Sequence, residues 1–241
     1  NRLCEEKVAI VSDKAGTTRD SIKGILTKGE TQYVFIDTPG IHKPKHLLGE
    51  HMTGIAIRTL KEVDCILFIL DGTQEISTGD QFVMERILEA GNTPRIAVIN
   101  KSDLFSDEEY AAKLAEVKEK LGEFNDVVML SSQFGFGVDR LLNSIKPFMT
   151  DEFWYYPDDM YTDMPVYKII GEIVREKILE RTQDEIPHSI AIEIINVSRR
   201  EEGKKDKYDV NIYVERNSQK GIVIGKDGKL LKEIGTEARK D

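Results

Sequence analysis

The sequence predicts an α/β domain built on a mostly parallel sheet, followed by a smaller α+β domain. Between Ile22 and Phe148, short apolar strand-like runs alternate with helical patterns, the rhythm that lays helices on both faces of a parallel sheet. From Asp151 to Pro165 the chain turns Asp-, Tyr- and Pro-rich and reads as a linker. Beyond it the pattern becomes helix, two alternating strands, a short helix, a Gly-rich turn and a last helix. With 241 residues the chain has room for two modest domains, expected at 1–150 and 166–241.

The elements follow in order. Asn1 to Cys4 reads as the interior of a helix, and Ser12 to Arg19 as a polar loop around Gly16, Thr17 and Thr18. Ile22–Thr27 and Gln32–Asp37, joined by Lys28-Gly29-Glu30, carry a hairpin signature. Ile55, Ile57 and Leu60 mark a helix, and the unbroken apolar run Cys65–Leu70 a strand buried on both faces. Helix spacing through Phe82, Met84, Ile87 and Leu88 leads to a buried strand at Arg95–Ile99. A charged helix over about 107–121, a strand at Val127–Leu130 and a helix at Val138–Phe148 complete the first domain. In the second, Ile169, Ile170, Ile173, Val174, Ile178 and Leu179 share a helix face. Ile190, Ile192, Ile194 and then Val210, Ile212, Val214 alternate as strands flanking the charged segment 199–207.

Composition narrows the class. Hydrophobic residues make up 40% and charged residues 32%, with two cysteines, so a disulfide framework is excluded and the cytoplasm is the expected compartment. No apolar run reaches the length of a bilayer span and no signal peptide is visible. The net charge of −9 is uneven: from His188 onward 12 Lys and Arg face 10 Asp and Glu. A mildly basic end on an acidic chain points to a module that meets nucleic acid. His42, His46 and His51 lack the spacing and companion ligands of a zinc site.

Three stretches at expected strand ends carry chemistry. Val34-Phe35-Ile36 runs into Asp37-Thr38-Pro39-Gly40, where a carboxylate suits hydrated Mg²⁺ and a Gly N–H can approach a phosphate. Asn100-Lys101-Ser102-Asp103 offers a carboxylate for the two adjacent donors of a guanine edge, an amide for another edge and a lysine stem for the base plane. Ser131-Ser132 ends the next strand, where a backbone N–H can meet the guanine oxygen. Each has a bland reading as an ordinary strand exit or Asx turn, but the three in this order outweigh it.

These residues resemble the TrmE-Era-EngA-like family of translation-factor-like GTPases, with their P-loop NTPase-type α/β domain. The resemblance implies that GTP and GDP bind through Asp37, Thr38, Pro39, Gly40, Ile41, Asn100, Lys101, Ser102, Asp103, Ser131 and Ser132. Gly16-Thr17-Thr18-Arg19-Asp20 is similar to the first switch of the potassium-responsive branch, which implies Thr18 and Asp37 as Mg²⁺ ligands and Gly40 at the γ-phosphate. Ile41 stands where other GTPases place a water-orienting Gln, so by resemblance hydrolysis leans on Mg²⁺, K⁺ and backbone donors. No Gly-x-x-x-x-Gly-Lys-Ser/Thr occurs, and this phosphate loop with its strand is expected ahead of Asn1. Without them the stretch is expected to bind nucleotide poorly and to be inactive on its own.

Ile222 to Ile224, Gly225-Lys226-Asp227-Gly228 and Leu230, Leu231, Ile234 resemble a type II KH domain that lacks its last strand. There a Gly-x-x-Gly turn clamps a single-stranded RNA backbone. A GTPase domain followed by such a module resembles the Era-like, ribosome-associated branch. That implies binding to the 3′ end of small-subunit ribosomal RNA and the small ribosomal subunit, peripheral association with the inner face of the membrane, a monomeric chain and no DNA partner. The rival readings are a non-hydrolysing RNA-binding scaffold and the carboxyl-terminal part of a double-GTPase ribosome factor.

Overall fold

The computed structural model describes residues 1–14, 16–44, 47–183, 186, 189–199 and 206–241. Most of the charged segment expected between the second-domain strands, and His46, lie outside the described residues. The chain divides into two compact units, Asn1–Glu6 with Arg19–Tyr161, and Lys7–Thr18 with Thr162–Asp241.

In the first unit, β1 (Ile22–Lys28) and β2 (Thr31–Asp37) form an antiparallel hairpin closed by Gly29-Glu30, with Lys28 opposite Thr31 and Ile22 opposite Asp37. Three parallel strands, β3 (Ile66–Asp71), β4 (Arg95–Asn100) and β5 (Asp126–Met129), stand in the order β3-β4-β5. The helices are α1 (Leu47–Thr59), α2 (Thr78–Ala90), α3 (Asp107–Leu121) and α4 (Val138–Ile145). On one face of the sheet, Phe68, Leu70, Ala97 and Ile99 pack with Met84 and Ile87 of α2 and Val117 and Leu121 of α3. On the other, Ile96, Val98 and Val128 pack with Leu141, Leu142 and Ile145 of α4 and with Tyr33 of β2. Ile96 to Ile99 are fully buried, each Ile or Val contributing about 1.5–3 kcal/mol of transfer free energy. Ser77 and Ser106 cap α2 and α3 through capping boxes with Asp80 and Glu109, which fixes where each helix begins.

Two expectations change. Asn1 to Cys4 forms a single turn, Cys4 N–H donating to Asn1 O at 3.1 Å, and not a helical interior. One turn gains a single hydrogen bond for the backbone it fixes, so a stretch this short does not hold a helix by itself. In β3, Ile66, Phe68 and Leu70 are buried but Leu67 is half-buried and Ile69 is 52% exposed, so one face alone is fully covered. Among the described residues the hairpin and the three-stranded sheet share no hydrogen-bonded ladder.

The linker is strapped to the hairpin. Gln32, 9% exposed, accepts from Tyr155 N–H and Tyr156 N–H at 3.0 Å each and donates to Tyr156 O at 2.9 Å and Thr27 Oγ1 at 3.0 Å. Trp154 Nε1 donates to Glu30 O at 3.1 Å, and Ile25 N–H to Tyr161 O at 2.9 Å. A buried amide with all its bonds made is a strong local fixing point.

In the second unit, α5 (Val166–Arg181) leads to β6 (Ile190–Ser198) and β7 (Lys207–Val214), antiparallel with Ile190 opposite Val214 and a register shift between Ile194 and Asn196. Then come α6 (Asn217–Ile224) and α7 (Lys229–Glu237). Ile178, Ile186, Ile190, Val223 and Ile234 form its core. Lys7–Thr18, placed by the sequence reading in the first domain, packs here for an electrostatic reason. Glu176, almost wholly buried on α5, takes Lys7 Nζ at 2.7 Å and Val11 N–H at 2.8 Å, while Arg175 donates to Thr17 O at 2.6 Å. Burial favours the neutral acid, but these donors hold the Glu176 carboxyl below its ordinary range.

Glu116 of α3 anchors the turn after β3, accepting from Ile76 N–H at 2.7 Å, Lys120 at 2.9 Å and Lys113 at 2.7 Å. Partial burial pushes its carboxyl up, but Lys113, Lys120 and the Ile76 N–H outweigh this and hold it at about 2. A carboxyl depressed on folding stabilises above its unfolded value of 4.5 and loses that contribution as pH falls toward 2. Glu116→Gln is therefore expected to cost about 1 kcal/mol at neutral pH, and the gap to wild type is expected to close between pH ~4.5 and ~2 in denaturant titrations.

Candidate nucleotide and RNA sites

The parallel strands deliver their carboxyl ends to one edge, where ligands of such sheets bind. Asn100, the last residue of β4, lies opposite Asp71, the last of β3. Lys101 follows in the left-handed region (φ 63°, ψ 35°), and a single 3₁₀ turn from Ser102 to Leu104 carries Asp103. After β5, Leu130 N–H donates to Ile99 O at 2.9 Å and Ser102 N–H to Leu130 O at 3.0 Å, which brings Ser131-Ser132 alongside Asn100–Asp103.

The two loops are interlocked by side chains. Ser131, fully buried, donates through Oγ to Asp103 Oδ1 at 2.5 Å and accepts Phe134 N–H at 3.3 Å. Asn100 Oδ1 accepts from Ser132 N–H at 3.0 Å and Ser132 Oγ at 2.7 Å. Ser131 N–H is spent on Phe136 O at 2.9 Å. Arg2 donates through Nε to Ser132 O at 2.9 Å and through a terminal nitrogen to Gln133 O. Lys101 Nζ reaches Asp71 Oδ2 at 2.7 Å. The Asp71 carboxyl lies below its usual range, held there first by Lys101 and then by the Thr73 hydroxyl and N–H. The result is a cluster of amide, carboxylate, hydroxyl and lysine groups fixed at one sheet edge, suited to a planar ring with several polar edges.

Asp37, exposed, ends β2, and Pro39 behind it is buried. Gly40 and Ile41 follow, with His42 Nδ1 3.0 Å from Gly40 O. A Cβ on Gly40 would meet nothing within 4 Å, so its backbone is open to a ligand. An all-oxygen donor at an exposed strand end suits a hard cation such as Mg²⁺, which commonly takes one or two protein carboxylates and completes its shell with water and phosphate. Thr18 belongs to the other unit by its packing, so Asp37 is the expected metal ligand that the first unit itself places. Among the described residues no group of three or more His, Cys, Asp or Glu forms a metal cluster.

In the second unit, Gly225-Lys226-Asp227-Gly228 turns the chain between α6 and α7. Gly225 (φ 74°, ψ 173°) has no room for a side chain, because a Cβ would fall 2.6 Å from Leu230 Cβ. Asp227 and Gly228 are left-handed (φ 55° and 73°), and Lys226 and Asp227 are exposed at the tip. The apolar side chains Ile222 and Leu231 flank the turn, 53% and 39% exposed. Helix, strand, strand, helix, glycine turn, helix is the order expected of the RNA-binding module. Sequence reasoning did not single out Arg2, Asp71 or Gln32. Asp71 was open to it, being an acid at the end of an apolar strand like Asp37, whereas the Arg2 partners and the linker partners of Gln32 lie more than 100 residues away.

A guanine-nucleotide-binding α/β domain joined to a KH domain defines a GTPase that carries an RNA-binding module. Residues 1–101 match the family model described as 50S ribosome-binding GTPase, and residues 185–241 match the KH domain model. The chain is 64% identical over all its 241 residues to GTPase Era of Fusobacterium nucleatum subsp. nucleatum, covering 81% of that protein. It superposes with a TM-score of 0.94, at 36% identity and over 100% of its length, on Era in complex with MgGDPNP and nucleotides 1506–1542 of 16S ribosomal RNA, covering 81% of that chain. The same values hold for a point variant of Aquifex aeolicus Era bound to GDP·AlF4⁻. The chain belongs to the Era family of GTPases.

Ser131→Ala removes both the donor to Asp103 and the acceptor for Phe134 N–H inside a fully buried position. It is expected to lower unfolding free energy by about 1–3 kcal/mol, read from the urea midpoint at unchanged slope.

Proposed function

We propose that GTP binding and hydrolysis in the first unit switch the KH module of the second, which holds the 3′ region of small-subunit ribosomal RNA during assembly of that subunit. The observation that supports this is the interlock of Asn100 and Asp103 with Ser131 and Ser132, since polar groups held together at one sheet edge suit the recognition of guanine. The RNA half is supported by the Gly225–Gly228 turn and by the 16S complex of a relative 36% identical along the whole chain. The family model's description names the 50S ribosome, but that complex is the more specific guide.

We assign the roles as follows. The free side of the Asp103 carboxylate accepts the ring N–H and exocyclic amine of guanine, a donor pair that adenine lacks. The Asn100 amide meets a second ring edge, the Lys101 stem covers the base, and Ser132 N–H, now on Asn100 Oδ1, is the donor for the guanine oxygen. Ser102, Thr38 and Pro39 shape these turns. Asp37 would hold Mg²⁺, with Thr18 the second ligand that the family resemblance implies, and Gly40 N–H would face the γ-phosphate. Bound Mg²⁺ supplies neutralisation of charge on the phosphate oxygens. Ile41 offers no side-chain amide to orient water, and by the family resemblance K⁺ would supply further positive charge to the phosphates. Lys226 and the bare backbone of Gly225 and Gly228 approach RNA phosphates. We propose further, from the family resemblance, that the working protein is a cytoplasmic monomer able to associate peripherally with the inner face of the cell membrane.

Asp103→Asn in the natural gene product is expected to shift preference from GTP towards xanthosine triphosphate, whose ring presents a carbonyl where guanine has its amine. An unchanged preference in competition binding overturns the base assignment. Replacing Lys226 and Asp227 with two glutamates is expected to weaken binding of the rRNA 3′ segment at least tenfold in a gel-shift titration while GTP hydrolysis persists. Retained RNA binding counts against the KH assignment.

A further inference from the structure

We propose that Asp71 is a positioning residue for guanine recognition, its carboxylate holding the Lys101 ammonium so that the lysine stem stands as a preformed wall of the base slot. This rests on the guanine-site reading above and adds to it a residue of a different strand.

Four observations converge on it. Asp71 ends β3 in register with Asn100, so its side chain leaves the sheet beside the base-reading turn. One carboxylate oxygen, Oδ1, is fixed by Thr73 N–H at 3.0 Å and Thr73 Oγ1 at 2.7 Å. The other, Oδ2, takes Lys101 Nζ at 2.7 Å. Gly72 N–H donates to Asn100 O at 3.0 Å, and a Cβ on Gly72 would fall 2.4 Å from Phe105 Cε1 and 2.8 Å from Asn100 O, so the two turns are pressed together with no slack.

Half-exposed ion pairs ordinarily contribute little to stability, and with side chains 33% and 50% exposed this pair is of that kind. Its consequence lies elsewhere. A lysine stem has four rotatable bonds, and ordering them when a base arrives detracts from affinity. Lys101 also adopts a left-handed backbone that non-glycine residues rarely take, which aims its stem in one direction. A carboxylate clamped by Thr73 and facing that stem fixes the far end before binding. The Asp71 carboxyl is held below its usual range, so the anchor stays charged through the neutral pH range.

The test uses the natural gene product, with steady-state GTP hydrolysis and binding of a fluorescent GDP. Base contacts are equal in ground and transition states, so Asp71→Asn is expected to raise KM for GTP about tenfold with kcat within about twofold. Asp71→Glu, which keeps the charge, is expected to recover most of the loss. In a Lys101→Ala background, Asp71→Asn is expected to add less than about twofold, because the residue acts through the lysine. Multiplicative effects of the two substitutions, or an unchanged KM in Asp71→Asn, overturn the proposal while leaving guanine recognition standing. A wild-type protein that does not prefer guanine over adenine nucleotides overturns the guanine-site reading and this inference with it.

Discussion

The burial of β4 is the constraint on which the rest of the first unit depends. Ile96 to Ile99 are fully buried between helices on both faces, and β3 and β5 pair with this strand on either side. Its last residue therefore cannot shift register without drawing polar Arg95 or Asn100 into the buried layers and breaking the ladders to β3 and β5. Asn100 inherits that fixity and passes it to Ser132, as Asp103 passes it to Ser131. The groups proposed for recognition are polar and on loops, yet they are held precisely because the strand beneath them is fully buried.

The two units solve a similar problem by different means. In the first, a buried strand holds the side chains proposed to read the base. In the second, the important surface is backbone, and steric room replaces polar reach. Gly225 packs so closely on Leu230 that no other residue fits, and Asp227 and Gly228 complete a left-handed turn between two helices. A tip of this shape brings bare glycine backbone and an exposed lysine to one edge, which suits close approach of a phosphate chain. The pairing of buried Glu176 with Lys7, together with Arg175 and Thr17, adds a third use of polarity: it fastens a segment of the amino-terminal region to α5. Removing Lys7 would leave the buried carboxylate with only the more distant Lys177, at 3.3 Å, as its paired cation.

Much of the site was legible in the sequence because its chemistry sits in contiguous runs. Asp37–Gly40, Asn100–Asp103 and Gly225–Gly228 each announce a strand end or turn through residue types that have few other uses together. Element order and type were equally open, since the periods of strands and helices are local properties. The strand expected to be buried on both faces proved covered on one only at Ile69, because coverage depends on what packs against it and not on its own composition. The helical reading of Asn1–Cys4 failed for a related reason, as a short pattern without enough turns cannot hold itself.

By itself the sequence determined the alternation of elements, the positions of the three motif-bearing turns and the family they belong to. Tertiary structure alone decided that Ser131 buttresses Asp103, that Asp71 holds Lys101, that Gln32 straps the linker to the hairpin and that Lys7–Thr18 packs with α5. The division has a physical cause. Period and turn chemistry act between residues a few positions apart, whereas these contacts join residues 28 to 169 positions apart, and only a folded core sets such distances.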